Sequence, residues 1–353
     1  MIFRNILICS HRSYMQNVNN YYLGDYMVLV LSREDLRRIL TMKETIEAVE
    51  EAFKLFHEGR AKMPLRPAIR VEEHNGLILY MPAYIGGMEA LAVKVVSVYS
   101  ENPKKYGLPT ILGTILLNDP KSGKLLSIMD GGLITAMRTG AVSGVASKYL
   151  AREDSEIAGI FGAGVQARTQ LMAIYEVRPI KKAFVYDVYP EVAKKYAEEM
   201  SRQLGIDVIP VDEPIKAVKG CDIICTATTS KTPVFNGEWV EEGTHINGIG
   251  SHVPEARELD STVIKRAKIV VDSYEACLKE AGDIIIPLKE GVISKDHIYA
   301  DLGEVVSGSK PGRISNDEIT LFKSVGLAIQ DASTALRAYK MAVKSGLGKE
   351  ITL

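Results

Sequence analysis

The 353-residue chain lacks several features that mark specialised classes of protein. Its formal net charge is only −1, so it has no bulk attraction for nucleic acid or for an anionic membrane surface. None of its apolar runs approaches the roughly 20 residues that a membrane-spanning helix needs. We therefore expect no nucleic acid and no membrane as a partner, and a small molecule as the ligand.

Cysteine is also scarce, with four residues in the chain. Three residues separate Cys221 from Cys225, which differs from the CxxC spacing of zinc and redox sites. The histidines form neither a cluster nor an HExxH motif, so no metal site is predicted. We interpret the cysteines as small buried apolar side chains, and reduced thiols suit a cytoplasmic protein.

Length and composition predict two globular domains, because a domain usually holds about 100–200 residues. The content of 46% hydrophobic and 25% charged residues is ordinary for such a protein. Residues 1–26 differ from the rest of the chain, since Arg4 and Asn5 break their apolar run, which argues against a signal peptide. From Met27 the pattern becomes that of a strand and a capped helix. We therefore expect residues 1–26 to be a non-native or loosely packed extension.

The first part of the chain is rich in predicted strands. Helical spacing of apolar residues predicts a helix over Met42–Gly59. Strands are predicted at the ranges Ala68–Val71, Leu77–Pro82, Ala90–Tyr99 and Thr110–Asn118. Thr135–Leu150 reads as a helix so dense in small residues that it should pack closely against a neighbour. These elements favour a mixed or antiparallel sheet.

From Ser155 the rhythm changes, because short apolar runs now alternate with helices. That alternation predicts a parallel, doubly wound α/β sheet of the Rossmann type. A strand or turn and a long helix follow Asp317, and their packing on the first part would make that domain discontinuous. The predicted division is a Rossmann domain over 146–319 and a second α+β domain over 27–145 plus 320–353.

The stretch "GIFGAGVQA" carries a dinucleotide-binding motif of the form GxGxxA, made by Gly162, Gly164 and Ala167. The first glycine makes the turn, the second lets a pyrophosphate approach, and the helix N-terminus that follows attracts phosphate. Asp187 ends the next predicted strand, 23 residues after Gly164. A carboxylate there accepts hydrogen bonds from the adenosine ribose, which favours NAD(H) and leaves NADP(H) as the second choice. The predicted cofactor-binding residues are Thr139, Gly162, Gly164, Val165, Gln166, Asp187, Thr226, Thr228 and Gly250.

Seven stretches follow one another in order from Met27 onward: "GRAKMPLRPAI", "LYMPAY", "ALAVKVVSVYSENPKKYGLPT", "ITAMRTGAVSG", "GIFGAGVQA", "EWVEEGTHINGIG" and "GLAIQDAS". With these landmarks the sequence resembles the ornithine cyclodeaminase/μ-crystallin family, which also holds archaeal alanine dehydrogenases and ketimine reductases. The resemblance implies a Rossmann domain, a second domain built from both chain ends, and a homodimer formed through the sheet of that second domain.

The resemblance also implies that Arg66, Lys94 and Arg138 bind a substrate carboxylate, with Lys94 as an active-site lysine. Arginine holds a carboxylate in a planar fork, whereas lysine supplies a point charge. Taken alone, each of these residues could be a solvated surface charge. Lys94 interrupts the apolar strand "LAVKVVSV", however, and Arg138 lies in the small-residue helix, so both should face inward and need an anionic partner.

His252, in "INGIGSHVPE", departs from the family pattern. Cyclodeaminases and the alanine dehydrogenases of the family carry an aspartate at this position, and a histidine cannot supply that fixed negative charge. The ketimine reductases also lack the aspartate, so His252 points to reduction of a preformed C=N bond. Its pKa near neutrality suits a proton donor, with Lys94 as the competing donor. A turn histidine bonded only to backbone is the structural alternative.

These observations predict an NAD(P)H-dependent reductase of a small cyclic imino acid. The favoured substrate is Δ1-pyrroline-2-carboxylate, reduced to L-proline, or its six-membered homologue, reduced to L-pipecolate. Alanine dehydrogenase and ornithine cyclodeaminase are the alternative enzymes. A nucleotide-dependent binding protein of the μ-crystallin type is the non-enzymatic alternative, which the three retained basic residues disfavour.

Overall fold

The computed structural model describes residues 26–64 and 66–353. The expectation of an N-terminal extension over residues 1–26 therefore lies outside the described residues, apart from Tyr26. Within the part described, no helix is both long and apolar enough to cross a membrane.

A mixed sheet joins strands from the two ends of the chain. In spatial order its strands are β16 (Lys349–Thr352), β1 (Met27–Leu31), β7 (Leu125–Asp130), β6 (Ile111–Asn118), β5 (Ala90–Tyr99), β4 (Gly76–Ile85) and β2 (Ala61–Lys62), and β3 (Ala68–Val71) also pairs with β4. β1 runs parallel to β7, and the other pairs are antiparallel. The predicted mixed sheet is thus confirmed, and the pairing of β1 with β16 brings the C-terminal strand into it.

A second sheet is parallel throughout. In spatial order its strands are β10 (Asp207–Pro210), β9 (Lys182–Tyr186), β8 (Ile157–Phe161), β11 (Ile223–Thr226), β12 (His245–Gly248), β15 (Thr320–Lys323), β13 (Lys268–Val271) and β14 (Ile298–Asp301). The strand order reverses at β8, which lies between β9 and β11. In such sheets, ligands bind at the carboxyl ends of the strands beside the reversal. The predicted α/β class with a Rossmann-type sheet is confirmed.

One detail of the predicted division needs correction. β15 lies inside the parallel sheet, between β12 and β13, whereas the boundary was predicted just before residue 320. Residues 320–323 were expected to join the second domain with the C-terminal helix, but all four are buried within the parallel sheet. A strand of four residues is too short to show a periodicity that tells one sheet from another.

Eleven helices connect and cover the two sheets within the described residues. They are α1 (Arg33–Ile39), α2 (Met42–His57), α3 (Asn102–Tyr106), α4 (Gly131–Leu150), α5 (Val165–Val177), α6 (Pro190–Leu204), α7 (Ser261–Arg266), α8 (Tyr274–Glu280), α9 (Gly282–Lys289), α10 (Leu302–Val306) and α11 (Ala328–Ser345). Helices α2, α4 and α11 share one hydrophobic core with the mixed sheet. α4 starts four residues earlier than predicted, because the Asp130 carboxylate accepts a hydrogen bond from the Leu133 N–H and caps it.

The small residues of α4 let it lie directly against α5, as the sequence predicted. A Cβ added at Gly140 would come within 2.3 Å of the Thr169 backbone oxygen. Since α4 also contacts the mixed sheet and α5 follows the glycine-rich turn, this close packing couples the two sheets.

The described cysteines agree with their predicted role as apolar side chains. Cys221, Cys225 and Cys277 are buried, with no disulfide between them, and Cys9 lies outside the described residues. Burial raises the pKa of the Cys221 and Cys225 thiols to about 12. These thiols are therefore protonated and unreactive at neutral pH.

Candidate active site

The glycine-rich turn lies at the carboxyl end of β8, next to the reversal of strand order. Gly162 has a φ of 87°, and a Cβ there would come within 2.8 Å of the Ala227 oxygen, so the position demands glycine. Gly164 precedes α5, and a Cβ there would meet nothing within 4 Å. The turn therefore leaves open space at the N-terminus of a 13-residue helix, where an anion is favourable.

Asp187 lies beside this turn at the end of β9. Its Oδ2 accepts a hydrogen bond from the Ala163 N–H at 2.9 Å, and its Oδ1 accepts one from the Tyr189 N–H at 2.9 Å. Each carboxylate oxygen keeps a second lone pair, so the group can still accept from a diol. Val188 and Tyr189 expose 72% and 69% of their surface here, which leaves an apolar rim around the carboxylate.

Two other predicted cofactor residues have polar atoms that are buried but unpaired. Thr139 Oγ1, on α4, and Gln166 Oε1, in the first turn of α5, have no hydrogen-bond partner among the described residues. The Thr139 carbonyl accepts from Gln170 Nε2 at 3.0 Å, which holds α4 beside the turn. Buried polar groups normally have partners, so these orphans suit a polar ligand.

Thr226, Thr228 and Gly250, at the ends of β11 and β12, converge on one buried carboxylate, Glu258. Glu258 Oε2 accepts from Thr226 Oγ1 at 2.8 Å and from the Gly250 N–H at 2.6 Å. Its Oε1 accepts from the Thr228 N–H and hydroxyl, both at 2.7 Å. The two hydroxyls therefore point at Glu258, and their predicted contact with a cofactor stays a prediction. Glu258 is a site residue that the sequence did not single out.

Glu258 belongs to a buried group of charges that we call the Lys323 cluster, which consists of Lys323, Asp283 and Glu258. Lys323 Nζ lies 2.8 Å from Asp283 Oδ2, and both side chains are fully buried. The ammonium also donates to the carbonyls of Gly248 and Ser251, at 3.1 and 2.7 Å. Burial alone would lower the pKa of Lys323, but Asp283 and Glu258 raise it. The cluster thus fixes the loop that leads to His252.

A second buried group of charges, which we call the Lys94 cluster, consists of Lys94, Arg138 and Asp331. Lys94 Nζ lies 2.8 Å from Asp331 Oδ2, and Arg138 Nε donates to Asp331 Oδ1 at 3.0 Å. Gln330 Oε1 accepts from Arg138 Nη1 at 2.6 Å. The lysine and the carboxylate are each 2% exposed at the side chain. Lys94 and Arg138 face inward as predicted, and their protein partner is Asp331, which the sequence showed only within the landmark "GLAIQDAS".

The Lys94 cluster combines three structural elements: β5, α4 and α11. Burial lowers the pKa of Lys94 to about 8, and Asp331 opposes this effect while Arg138 adds to it. The single carboxylate of Asp331 pairs with two cations, Lys94 and Arg138, so the cluster retains an excess positive charge. A buried positive charge of this kind is stabilised by a bound anion.

Gly326 allows the Arg138 guanidinium to approach the backbone. Its φ is 84°, and a Cβ there would come within 2.7 Å of Arg138 Nη1. Asp272 Oδ2 accepts hydrogen bonds from the N–H groups of Val325 and Gly326, both at 2.8 Å, and so holds this loop.

A cavity of about 100 Å³ opens beside Gly326 and is lined by Arg66, Met81 and Glu280, among others. Met81 on β4 pairs in register with Lys94 on β5, so the cavity borders the Lys94 cluster. Arg66 donates from Nε to Glu280 Oε1 at 3.1 Å, and a second contact joins its Nη2 to Glu280 Oε2. Arg66 thus enters the same cleft, where Glu280 of α8 contacts it.

His252 follows β12 in an exposed loop, near enough to Arg66 and Arg138 for their charges to act on it. Its Nδ1 lies 3.2 Å from the Gly250 oxygen, which makes Nδ1 the donor and leaves Nε2 free. Desolvation lowers the pKa of His252, and the positive charges of Lys323, Arg66 and Arg138 lower it further. The backbone hydrogen bond matches the structural alternative for this residue, although the free Nε2 permits chemistry as well.

No group of three or more His, Cys, Asp or Glu side chains suited to a metal ion lies within residues 26–64 and 66–353. Instead, the cleft combines three features. The glycine-rich turn suits an anion, the carboxylate of Asp187 suits a ribose diol, and the Lys94 cluster carries excess positive charge. Fold and site together define an α/β protein with a cleft that suits a dinucleotide-like ligand next to a small anionic compound.

Comparison with known proteins identifies the family. The chain matches the ornithine cyclodeaminase/mu-crystallin family over residues 27–346 and belongs to it. The resemblance stated from the sequence is therefore confirmed.

Three known proteins are similar to this chain over most of its length. The structure of Δ1-pyrroline-2-carboxylate reductase from Thermococcus litoralis, in complex with NADH and L-proline, is 59% identical with a TM-score of 0.89 and covers 92% of this chain and 100% of its own. Alanine dehydrogenase from Archaeoglobus fulgidus is 42% identical over 92% of this chain and 98% of its own length. An archaeal alanine dehydrogenase dimer with bound NAD is 40% identical with a TM-score of 0.86, covering 92% and 99%.

Proposed function

We propose that this protein is an NADH-dependent reductase of a small cyclic imino acid. The favoured substrate is Δ1-pyrroline-2-carboxylate, and its six-membered homologue is the second choice. The observation that carries this proposal is the Lys94 cluster, which places excess positive charge beside a small cavity in the cleft. The 59% identical relative with NADH and L-proline supports the same reaction.

The substrate carboxylate would be held by Arg66, Lys94 and Arg138. Arg138 is anchored by Asp331 and Gln330 through Nε and Nη1, which leaves Nη2 to reach a ligand. Lys94 lies 2.8 Å from Asp331 and has three N–H donors, so donors remain for a ligand. Arg66 lines the cavity directly. This set suits a compact monocarboxylate.

The crevice at the end of β8 fits a dinucleotide. The open space at Gly164 and the unpaired Thr139 hydroxyl suit a pyrophosphate, and Asp187 suits the ribose diol. The carboxylate of Asp187 also disfavours a ribose 2′-phosphate, so NADH is preferred and NADPH is the secondary cofactor. Bound NADH would supply the hydride that the imine carbon takes up.

A residue of the chain itself donates the proton that the reaction needs. One proton on the imine nitrogen and one hydride on the adjacent carbon convert the C=N bond into CH–NH. Lys94 is the favoured donor, because its pKa of about 8 keeps it mostly protonated at neutral pH while it can still release the proton. His252 is the second candidate donor, through Nε2.

We further propose that the protein is a cytoplasmic homodimer that associates through the mixed sheet. The dimeric alanine dehydrogenase relative supports the assembly. Exposed apolar side chains on β3 and β6, including Ile69, Ile111 and Leu112, support the surface. Free buried cysteines support a reducing compartment.

The deciding experiment runs three reactions in parallel and measures the loss of NADH absorbance in the first two and the release of ammonia in the third. Purified protein is mixed with NADH and Δ1-pyrroline-2-carboxylate, with NADH, pyruvate and ammonium, or with NAD⁺ and L-ornithine. Rapid NADH oxidation with the cyclic imine alone is the expected result.

The other outcomes lead to different functions. Faster turnover of pyruvate with ammonium would make the protein an alanine dehydrogenase, which the 42% identical relative makes the second candidate. Turnover of ornithine would indicate a cyclodeaminase. Tight NADH binding without turnover of any substrate would indicate a nucleotide-dependent binding protein.

A further inference from the structure

Asp331 is the only carboxylate that contacts the cations of the Lys94 cluster within the described residues. It lies in the first turn of α11, whereas Lys94 lies on β5 and Arg138 on α4. Its exposed fraction is 1%. A carboxylate this deeply buried is stable only with strong partners, and Asp331 has one cation on each oxygen.

We propose that Asp331 is a positioning residue that keeps the Lys94 ammonium charged and directed as the proton donor in imine reduction. The inference rests on the proposed function and adds a residue to it. Asp331 does not accept the transferred proton. The proton moves from Lys94 Nζ to the imine nitrogen, and the neutral amine regains a proton from water.

Geometry makes Asp331 suited to this role. Its Oδ2 lies 2.8 Å from Lys94 Nζ, and its Oδ1 accepts from Arg138 Nε at 3.0 Å. Because the two oxygens are rigidly linked, the carboxylate sets the position of the ammonium relative to the guanidinium. Both cations are thereby fixed relative to one substrate carboxylate, which is a requirement for proton transfer over hydrogen-bond distance.

Electrostatics gives Asp331 a second effect. Three charged groups face Lys94: Asp331 from α11, Arg138 from α4 and Arg66 from the loop before β3. Burial and the two arginines lower the pKa of Lys94, and Asp331 alone opposes them, with a net value of about 8. Without the carboxylate, the lysine would lose its proton at a lower pH and would be a neutral amine under ordinary assay conditions.

The test is the pH dependence of kcat/KM, which reports the ionisation of the free enzyme. The wild-type protein should lose kcat/KM as pH rises through about 8, because the donor must be protonated. In Asp331→Asn this decline should move toward acid by about one to three pH units, the usual effect of a neighbouring opposite charge. Asp331→Glu keeps the charge, so its decline should stay close to that of the wild type even if kcat falls.

Arg138→Gln should move the pH at which kcat/KM declines in the opposite direction. It removes a positive charge that faces Lys94 and leaves Asp331 to pair with the lysine alone. The decline of kcat/KM should then move toward alkaline pH, while KM rises because one carboxylate ligand is lost. A merely structural role of Asp331 would reduce the activity or stability of Asp331→Asn without moving its decline toward acid.

The outcomes separate this inference from the proposed function. If the wild-type protein does not oxidise NADH with the cyclic imine, the proposed function fails. If it does, but Asp331→Asn keeps the wild-type pH profile, the positioning role is overturned. Should Asp331→Asn not fold, an unmoved decline in Arg138→Gln overturns the role, because the decline then does not report a lysine held between these charges. An alkaline shift in Arg138→Gln together with an unmoved decline in Asp331→Glu supports it.

Discussion

The Lys94 and Lys323 clusters are both built from a buried lysine paired with a buried aspartate at 2.8 Å, yet their charge balance is opposite. In the Lys94 cluster two cations share one carboxylate. In the Lys323 cluster one cation lies with two carboxylates. The pKa of Lys94 is lowered to about 8, whereas the pKa of Lys323 is raised above its ordinary value.

This difference shows that the same buried lysine–aspartate ion pair can either form part of a binding site or stabilise the fold. Lys323 has its remaining donors satisfied by two backbone carbonyls and has no exposed surface. The Lys94 cluster borders a cavity and keeps donors free for a ligand. A buried charge that is fully satisfied organises a loop, and one with excess charge of one sign forms a binding site.

Replacing Lys94 should have the largest effect on activity. In Lys94→Met, kcat/KM for the cyclic imine should fall by about 10²–10⁴-fold, because a proton donor and a carboxylate ligand are both lost. Asp331 keeps Arg138 as its partner, so the melting temperature should change little. Steady-state kinetics and thermal unfolding check both parts. Retention of more than a tenth of the activity would remove Lys94 from the donor role.

Replacing Lys323 should affect stability far more than the Lys94 variant does. Lys323→Met leaves Asp283 and Glu258 buried without a cation, which should cost about 3–5 kcal/mol in the free energy of unfolding. Denaturant unfolding of Lys323→Met and Lys94→Met side by side gives a matched comparison. Equal stability of the two variants would contradict the distinction between the clusters.

Glu258 should influence cofactor binding, because it ties the ends of β11 and β12 together. In Glu258→Gln one oxygen becomes an amide nitrogen that faces an N–H donor of Thr228 or Gly250. We expect the dissociation constant for NADH to rise about tenfold, equivalent to one lost hydrogen bond of about 1.4 kcal/mol. Quenching of protein fluorescence by NADH measures it. An unchanged constant would restrict Glu258 to a role outside the cofactor site.

His252 should contribute least if Lys94 donates the proton. His252→Asn keeps a polar side chain near the Gly250 carbonyl but cannot transfer a proton. A decrease in kcat/KM of less than about tenfold is expected, since general acid catalysis itself contributes about 10²–10⁴-fold. A loss as large as that of Lys94→Met would instead make His252 the donor.

Local sequence patterns predicted much of the fold. The predicted helix after the glycine-rich turn and the predicted strands Ala90–Tyr99 and Ala68–Val71 agree with α5, β5 and β3. Periodicity and glycine turns carry this information within a few neighbouring residues. The short helices α7 to α10 and strand β14 were not predicted, because elements this short have too few turns or alternations to show a period.

The site was predictable only in part. Glycine spacing predicted the cofactor turn. The family resemblance, supported by the placement of Lys94 and Arg138 in apolar and small-residue segments, predicted the basic residues. Asp331, Glu258 and Glu280 were missed, since acidic residues are common and nothing in their local pattern shows burial.

The amino-acid sequence by itself determined the order of secondary-structure elements, the glycine turn and the presence of charges within apolar segments. Only the tertiary structure decided which charges meet, and in what ratio. Asp331 lies 193 positions from Arg138 in the chain yet binds it directly. Charge balance depends on distances of a few ångströms between such remote segments, and Coulomb energies at that range decide whether a buried lysine supports the fold or serves a reaction.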